Sequence, residues 1–299
     1  MRVATIDIGT NTTLLLVAEK RDDGTLVALE EHATITRLGE GVDKTRTLAP
    51  AAIERTNTCL DRYAEIITRL KVDRVAVVGT SAMRDAGGGD AVRSHVKEKL
   101  GVEARTISGD EEARLTFLGA LSGIPEAKSG RRVVVFDIGG GSTEVVQGDR
   151  SNAAITYAHS FDVGSVRLTE RHGEDRDALR TATQEAFASL PALELEAPPV
   201  GIAGTMTTLV AVAMKMETYD GARVHGSSMS IGDLARVVDE LAALPLEKRK
   251  NAPGLEPKRA DVIVAGGHVA LGFLEKIGAT SVTISDRGVR WGLAEELAK

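Results

Sequence analysis

A single cysteine, Cys59, stands in 299 residues. That excludes a disulfide framework and any cysteine-ligated zinc site, and it fits a cytoplasmic location. Aromatic side chains make up only 3% of the chain, so its core must be built from Val, Leu, Ile and Ala. Positive charge is also short, with 37 Lys and Arg against 43 Asp and Glu for a net charge of -6. A general DNA-binding or membrane-binding face needs clustered cations and is not expected; an anionic substrate in a local pocket remains compatible. The longest apolar run, 200–216, is broken by Gly204, Thr205, Thr207, Thr208 and Lys215. It falls short of the roughly 18 uninterrupted residues of a membrane span. At the start of the chain Asp7 interrupts what would be a signal-peptide core, so no secretion leader is expected. The six histidines have no metal-ligand spacing.

What is present is ordinary for a globular protein, 42% hydrophobic and 27% charged. The length suits one large or two medium domains. Internal similarity points to two. "ATIDIGTN" from Ala4 and "VFDIGGGS" from Val135 share a strand, an aspartate, Ile-Gly and a turn. Each is followed by a β-rich run, "TTLLLVAEK" and "TEVVQGD", so each half is predicted to open with a β-hairpin.

Further elements alternate. "TLVALEEHATITRLG" reads as another strand pair, Ala49–Leu70 as a helix after Pro50, and "RVAVVGTSAMRDA" as a strand entering a Gly-Thr-Ser turn. A helix is expected over Asp90–Leu100 and another from Asp110 with Ser108 as its cap. The link "SGIPEAKSGRR" reads as a domain boundary, dividing 1–124 from 125–299. In the second half "AAITYAHSFDVGSVRLTERH" reads as strand then turn, Asp177–Leu190 as helix, and "PVGIAGTMTTLVAVAMK" as strand, Gly-Thr turn and helix. Helices after Ser230 and over "KRADVIVAGGHVALGFLEKIG" follow, then a strand and a final helix at about 288–299 that could pack back on the first domain. Strands alternating with helices make both halves α/β.

Glycine-rich loops at strand ends let backbone N–H groups approach a phosphate. One such turn is equally well a plain hairpin, with its Asp accepting turn N–H bonds. Two of them, joined by Gly204-Thr205, read together as a phosphate cradle. Asp137 and Glu144 bracket the second turn, with Asp7 at the matching position of the first. Hard carboxylate oxygens of this kind suit Mg²⁺, which keeps its waters and bridges to phosphate. "SGDEEARL" places Asp110, Glu111 and Glu112 at a helix start. They can complement the helix dipole or supply a base for a water nucleophile. Arg84 and Arg287 are candidate anion contacts or ordinary ion-pair residues. His225 reads as structural or as a rim contact. Ser142 has no His–Asp partners in any triad pattern.

Together "DIGTNTTLLLV", "TRLGEGVD", "GTSAMRDA", "ISGDEEARLTFLG", "VFDIGGGSTEVV", "GSVRLTE", "GIAGTMTTL", "RVHG" and "SDRGVRWGL" resemble the exopolyphosphatase / guanosine pentaphosphate phosphatase family. That family belongs to the actin, sugar-kinase and chaperone-ATPase superfamily. The resemblance implies two ribonuclease-H-like domains with a cleft between them, and stepwise hydrolysis of a terminal phosphate from inorganic polyphosphate or pppGpp. It implies Glu112 as the catalytic glutamate. Asp137 and Glu144 fall on the acidic positions tied to Mg²⁺ (or Mn²⁺) and catalysis, with Asp7 beside them. Thr10, Asn11, Thr12, Arg84, Gly139, Gly140, Gly141, Ser142, Gly204 and Thr205 fall on the phosphate-facing loops. The sequence matches a short two-domain form, for which a homodimer could extend the grip on a long chain. An ATP-dependent sugar kinase and a phosphate-ligand sensor are the competing readings. A kinase would need an acceptor base and an adenosine pocket, and intact Glu112, Asp137 and Glu144 speak against a sensor.

Overall fold

A computed structural model describes residues 1–10, 12–124 and 131–299. The expected interdomain link lies partly outside them, at 125–130. The chain forms two units, Met1–Gly123 with Val289–Lys299, and Ile124–Gly288.

The first unit is built on β1 (Arg2–Ile8), β2 (Thr12–Lys20), β3 (Leu26–Ile35), β4 (Arg74–Gly79) and β5 (Ala104–Thr106), in the order β3-β2-β1-β4-β5. The first three strands form an antiparallel meander, while β4 runs parallel to β1 and β5 parallel to β4. This mixed order is the ribonuclease-H-like arrangement. Side chains alternate across a strand, and β1 shows the consequence. Ala4, Ile6 and Ile8 join a core with Leu60, Tyr63, Val92 and Val96, from the helices Pro50–Arg69 and Gly89–Leu100. Val3 turns to the other face, where Trp291 and Ala294 of the last helix, Val289–Leu297, cover it. Thr5 shares that face and donates its hydroxyl to the Arg290 carbonyl at 2.8 Å. Asp7 follows by the same alternation.

The last helix packs against Gly109–Leu121 so closely that a Cβ on Gly292 would overlap the Leu115 carbonyl. The stretch read as a strand pair is one ten-residue strand, β3. Its Glu30, Glu31 and His32 do not make a turn. They alternate on a half-exposed edge strand, where period-two polarity is tolerated on the outer face.

The second unit repeats the plan with β6 (Arg132–Ile138), β7 (Thr143–Asp149), β8 (Ala154–Phe161), β9 (Val200–Ile202), β10 (Ser228–Ser230) and β11 (Ser281–Ile284). Their order is β10-β11-β9-β6-β7-β8. Again three antiparallel strands lead, β9 runs parallel to β6, and β11 parallel to β9. The scarce aromatics are concentrated here. Phe136, Phe161, Phe187 and Phe273 form a chain of tilted and edge-on contacts, with centroids 4.7 to 5.4 Å apart. Such geometry adds to plain area burial.

Two expected turns are helical instead. Ser165–His172 is a helix directly after Gly164. Gly204 and Thr205 lie in the first turn of the helix Ala203–Ala213, which starts at the end of β9 with no intervening loop. The change of direction is made by Ala203, whose φ of 60° is left-handed, a conformation uncommon outside glycine. Among the described residues, no helix is long and apolar enough to cross a membrane.

Candidate active site

The second hairpin assembles the expected acids. Its ladder ends at Ile138 opposite Thr143, and Gly139 N–H donates to the Ser142 carbonyl at 2.9 Å to close the loop. One step back, Asp137 pairs directly with Glu144. Paired residues of an antiparallel ladder project to the same face a few ångströms apart, so the two carboxylates are neighbours, both half-buried. Glu144 Oε1 accepts hydroxyl bonds from Ser142 at 2.6 Å and Ser160 at 2.7 Å. Ser142 therefore orients the Glu144 carboxylate.

The loop's carbonyls are occupied from behind. Ser165 N–H donates to Gly139 O, and the N–H groups of Val166 and Arg167 donate to Gly140 O, at 2.9 to 3.0 Å. The Thr205 hydroxyl donates to Ile138 O at 3.0 Å. A Cβ on Gly164 would lie 2.6 Å from the Gly140 carbonyl group, so a glycine is needed at that crossing. Within the described residues, Gly140 and Gly141 donate their N–H groups to no protein acceptor. A loop with carbonyls tied back and N–H groups spare is an anion-binding concavity.

Gly204 adds a second such edge at the start of an eleven-residue helix, where orphan N–H groups and the dipole favour anions. Over it lies a group that sequence reasoning missed. A Cβ on Gly204 would overlap the guanidinium of Arg259, which is exposed and comes from the turn Pro257–Arg259. No local pattern links positions 204 and 259; the only available signal was the glycine itself.

In the first unit the matching hairpin closes with Gly9 N–H to the Thr12 carbonyl at 3.1 Å. The Thr10 carbonyl accepts from Gly39 N–H at 2.9 Å, which anchors this loop to the "RLGEG" segment. Asn11 lies outside the described residues. Asp7 pairs with Leu14, not with an acid, so the acid pair is a feature of the second hairpin.

Asp7 lies within electrostatic reach of Glu112 at the acidic helix start. The Ser108 hydroxyl caps Gly109–Leu121 by accepting from Glu111 N–H at 3.1 Å, as expected. Two of the three acids have distinct arginine partners. Glu111 bonds Arg105 at 3.0 Å, while Glu112 meets Arg84 at 3.4 Å. Arg84 is held in turn by the Ile107 carbonyl at 2.9 Å.

Burial, and then the negative charge of Glu112, push the Asp7 carboxyl up to about 7, against a smaller opposing pull from Arg290. Its Oδ1 is buried with no hydrogen-bond partner. The folded chain thus keeps a proton that the unfolded chain releases between about pH 4 and pH 7, and stability falls as pH rises through that window. Asp7→Asn is expected to stabilise the fold at pH 8 by on the order of 2–4 kcal/mol and to change little at pH 4. Thermal unfolding at the two pH values checks this. Equal shifts at both would contradict the burial of a strained carboxyl.

Among the described residues no group of three or more acidic, His or Cys side chains converges as a metal cage. The Asp137–Glu144 pair nevertheless suits Mg²⁺, which is held by one or two carboxylates and completed by waters and substrate phosphate. Two like charges directly opposed on one face are unfavourable without a cation.

Known proteins resemble the chain over its whole length. The sequence model of the Ppx/GppA phosphatase family matches residues 16–299. Exopolyphosphatase 2 of Mycobacterium tuberculosis is 39% identical over 320 residues, covering 99% of this chain and 98% of that protein. A guanosine-5'-triphosphate,3'-diphosphate pyrophosphatase of Vibrio atlanticus is 30% identical, covering 98% of this chain but 59% of that protein. The crystal structure of the Aquifex aeolicus Ppx/GppA phosphatase, type II variant, superposes with a TM-score of 0.87 at 32% identity, covering 99% of each chain. With the hairpin acids, the glycine loops and the capped acidic helix all in place, the chain belongs to the Ppx/GppA phosphatase family.

Proposed function

We propose that the protein is an exopolyphosphatase that releases the terminal phosphate of inorganic polyphosphate by in-line attack of water. The observation that carries this reading is the second hairpin: an acid pair, Asp137 and Glu144, beside a loop whose spare N–H groups suit phosphate oxygens. The 39% identity to a protein named as an exopolyphosphatase supports the choice of substrate.

The chain's residues divide the work. Gly140, Gly141 and the first turn of the helix at Gly204 and Thr205 hold phosphate oxygens through backbone N–H groups. Thr10 and Thr12 line the matching loop of the first hairpin. Arg84 and Arg259 add positive charge. Glu112 orients the attacking water and takes its proton. Asp137 and Glu144 would hold Mg²⁺ or Mn²⁺, which when bound neutralises charge on the phosphate oxygens. Phosphoryl transfer asks mainly for positioning and charge stabilisation, and these groups are of that kind.

A second reading, hydrolysis of the 5'-phosphate of pppGpp, is supported by the 30% identical relative named for that activity. Incubating the purified protein with Mg²⁺ and, separately, polyphosphate, pppGpp and ATP resolves the two. Phosphate release fastest from polyphosphate is expected. Release from pppGpp alone would replace the first reading with the second, and release from none would end both.

A further inference from the structure

Among the described residues Arg249 is the largest buried charged side chain, 1% exposed. All five of its guanidinium N–H donors are used. Two go to Glu174, at 2.5 Å to Oε1 and 2.8 Å to Oε2. The rest go to the carbonyls of Leu241 at 2.8 Å, Leu244 at 3.0 Å and Ala260 at 2.9 Å. One residue thus ties together three places that are distant in sequence: the segment before the helix Arg176–Ala186, the end of the helix Ile231–Ala242, and the residue after the turn Pro257–Arg259.

Arg249 is buried while Glu174 is 41% exposed, and an ion pair with a desolvated partner is weak evidence of stabilisation, because apolar residues of the same volume do as well or better. Its forked, fully satisfied geometry does fix backbone positions. The position fixed here is that of Arg259. Ala260 is fully buried, its carbonyl is held by Arg249, and Val262 N–H closes onto the Arg259 carbonyl at 3.1 Å. On the other side the Arg259 N–H donates to the Glu256 carbonyl at 2.8 Å, and the exposed Arg259 side chain is delivered over Gly204, at the first turn of the phosphate-facing helix.

We infer that the forked pair of buried Arg249 with the exposed Glu174 is a positioning element that holds Arg259 over the helix start at Gly204 and thereby sets affinity for the substrate's phosphates. The inference rests on the reading of that helix end as a phosphate site. Neither residue touches substrate. Arg249→Lys keeps the charge and loses the fork, and Glu174→Gln weakens the pair from the other side.

The test measures the Kd of tripolyphosphate with Mg²⁺ by calorimetry, together with kcat and KM for phosphate release, on the full chain. R249K is expected to weaken binding about tenfold and raise KM to match, with kcat within about twofold, and E174Q to do the same more mildly. R259A should weaken binding at least as much. The double variant R249K/R259A should bind no worse than R259A alone, because both changes remove one contribution.

Multiplicative losses in the double variant, or equal losses in kcat and 1/KM, would overturn the positioning role. So would unchanged binding in R259A. If R249K does not fold, as judged by its thermal unfolding, E174Q and E174Q/R259A carry the same comparison. Calorimetry keeps the test independent of turnover: tripolyphosphate binding that follows this pattern without phosphate release would sink the proposed activity and leave the positioning role standing.

Discussion

Glu112→Gln is expected to lower kcat for phosphate release on the order of 10³-fold, within the range of a positioned general base, while tripolyphosphate still binds with near wild-type affinity. The helix Gly109–Leu121 starts with three acids, and partners distinguish Glu111 from Glu112. Glu111 is committed to Arg105. Glu112 lies against Arg84, itself pinned by a backbone carbonyl, and its charge is felt by the buried Asp7. Glutamine preserves size and can still accept from Arg84, so the change removes basicity with little else. Steady-state phosphate release paired with a binding isotherm separates the two effects. Turnover within a few fold of wild type would remove Glu112 from the role of base.

Asp137→Asn is expected to raise the Mg²⁺ concentration for half-maximal activity at least tenfold and to lower kcat at saturating Mg²⁺ roughly 10²-fold, the scale of losing one preorganised charge contact. Its direct pairing with Glu144 underlies this. The amide has the same shape but only half the pair's charge remains. Glu144 is already oriented by two hydroxyls, so it should retain residual metal binding rather than collapse. A Mg²⁺ titration of phosphate release, wild type against variant, reads both numbers. Superimposable titrations would mean that the metal is held elsewhere.

Much of this was legible in the sequence because the governing physics is local. A strand, a DxG and four loop residues specify a hairpin whatever surrounds it, and period-two alternation then fixes which side chains share a face. Asp137 and Glu144 had to be neighbours once the loop was counted. Ser108 and Ser230 signalled helix starts, and both cap by side chain.

The readings that failed depended on partners far along the chain. Gly164 and Gly204 looked like turn glycines, whereas their task is to admit the Gly140 backbone and the Arg259 guanidinium. Small residues near the start of an apolar helix mimic a loop when the strand runs directly into it, and only the left-handed Ala203 marks the junction. The pairing of buried Arg249 with Glu174 spans a gap in sequence that no periodicity bridges.

The most direct measurement is a single turnover of polyphosphate by the Mg²⁺-supplemented protein in H₂¹⁸O, with the released phosphate analysed by mass. Water attack at the terminal phosphorus places one ¹⁸O atom in each phosphate released, and that is the expected result. Unlabelled phosphate would mean attack at another phosphorus or transfer through a different acceptor, and would contradict the proposed roles of Glu112 and the phosphate loops together.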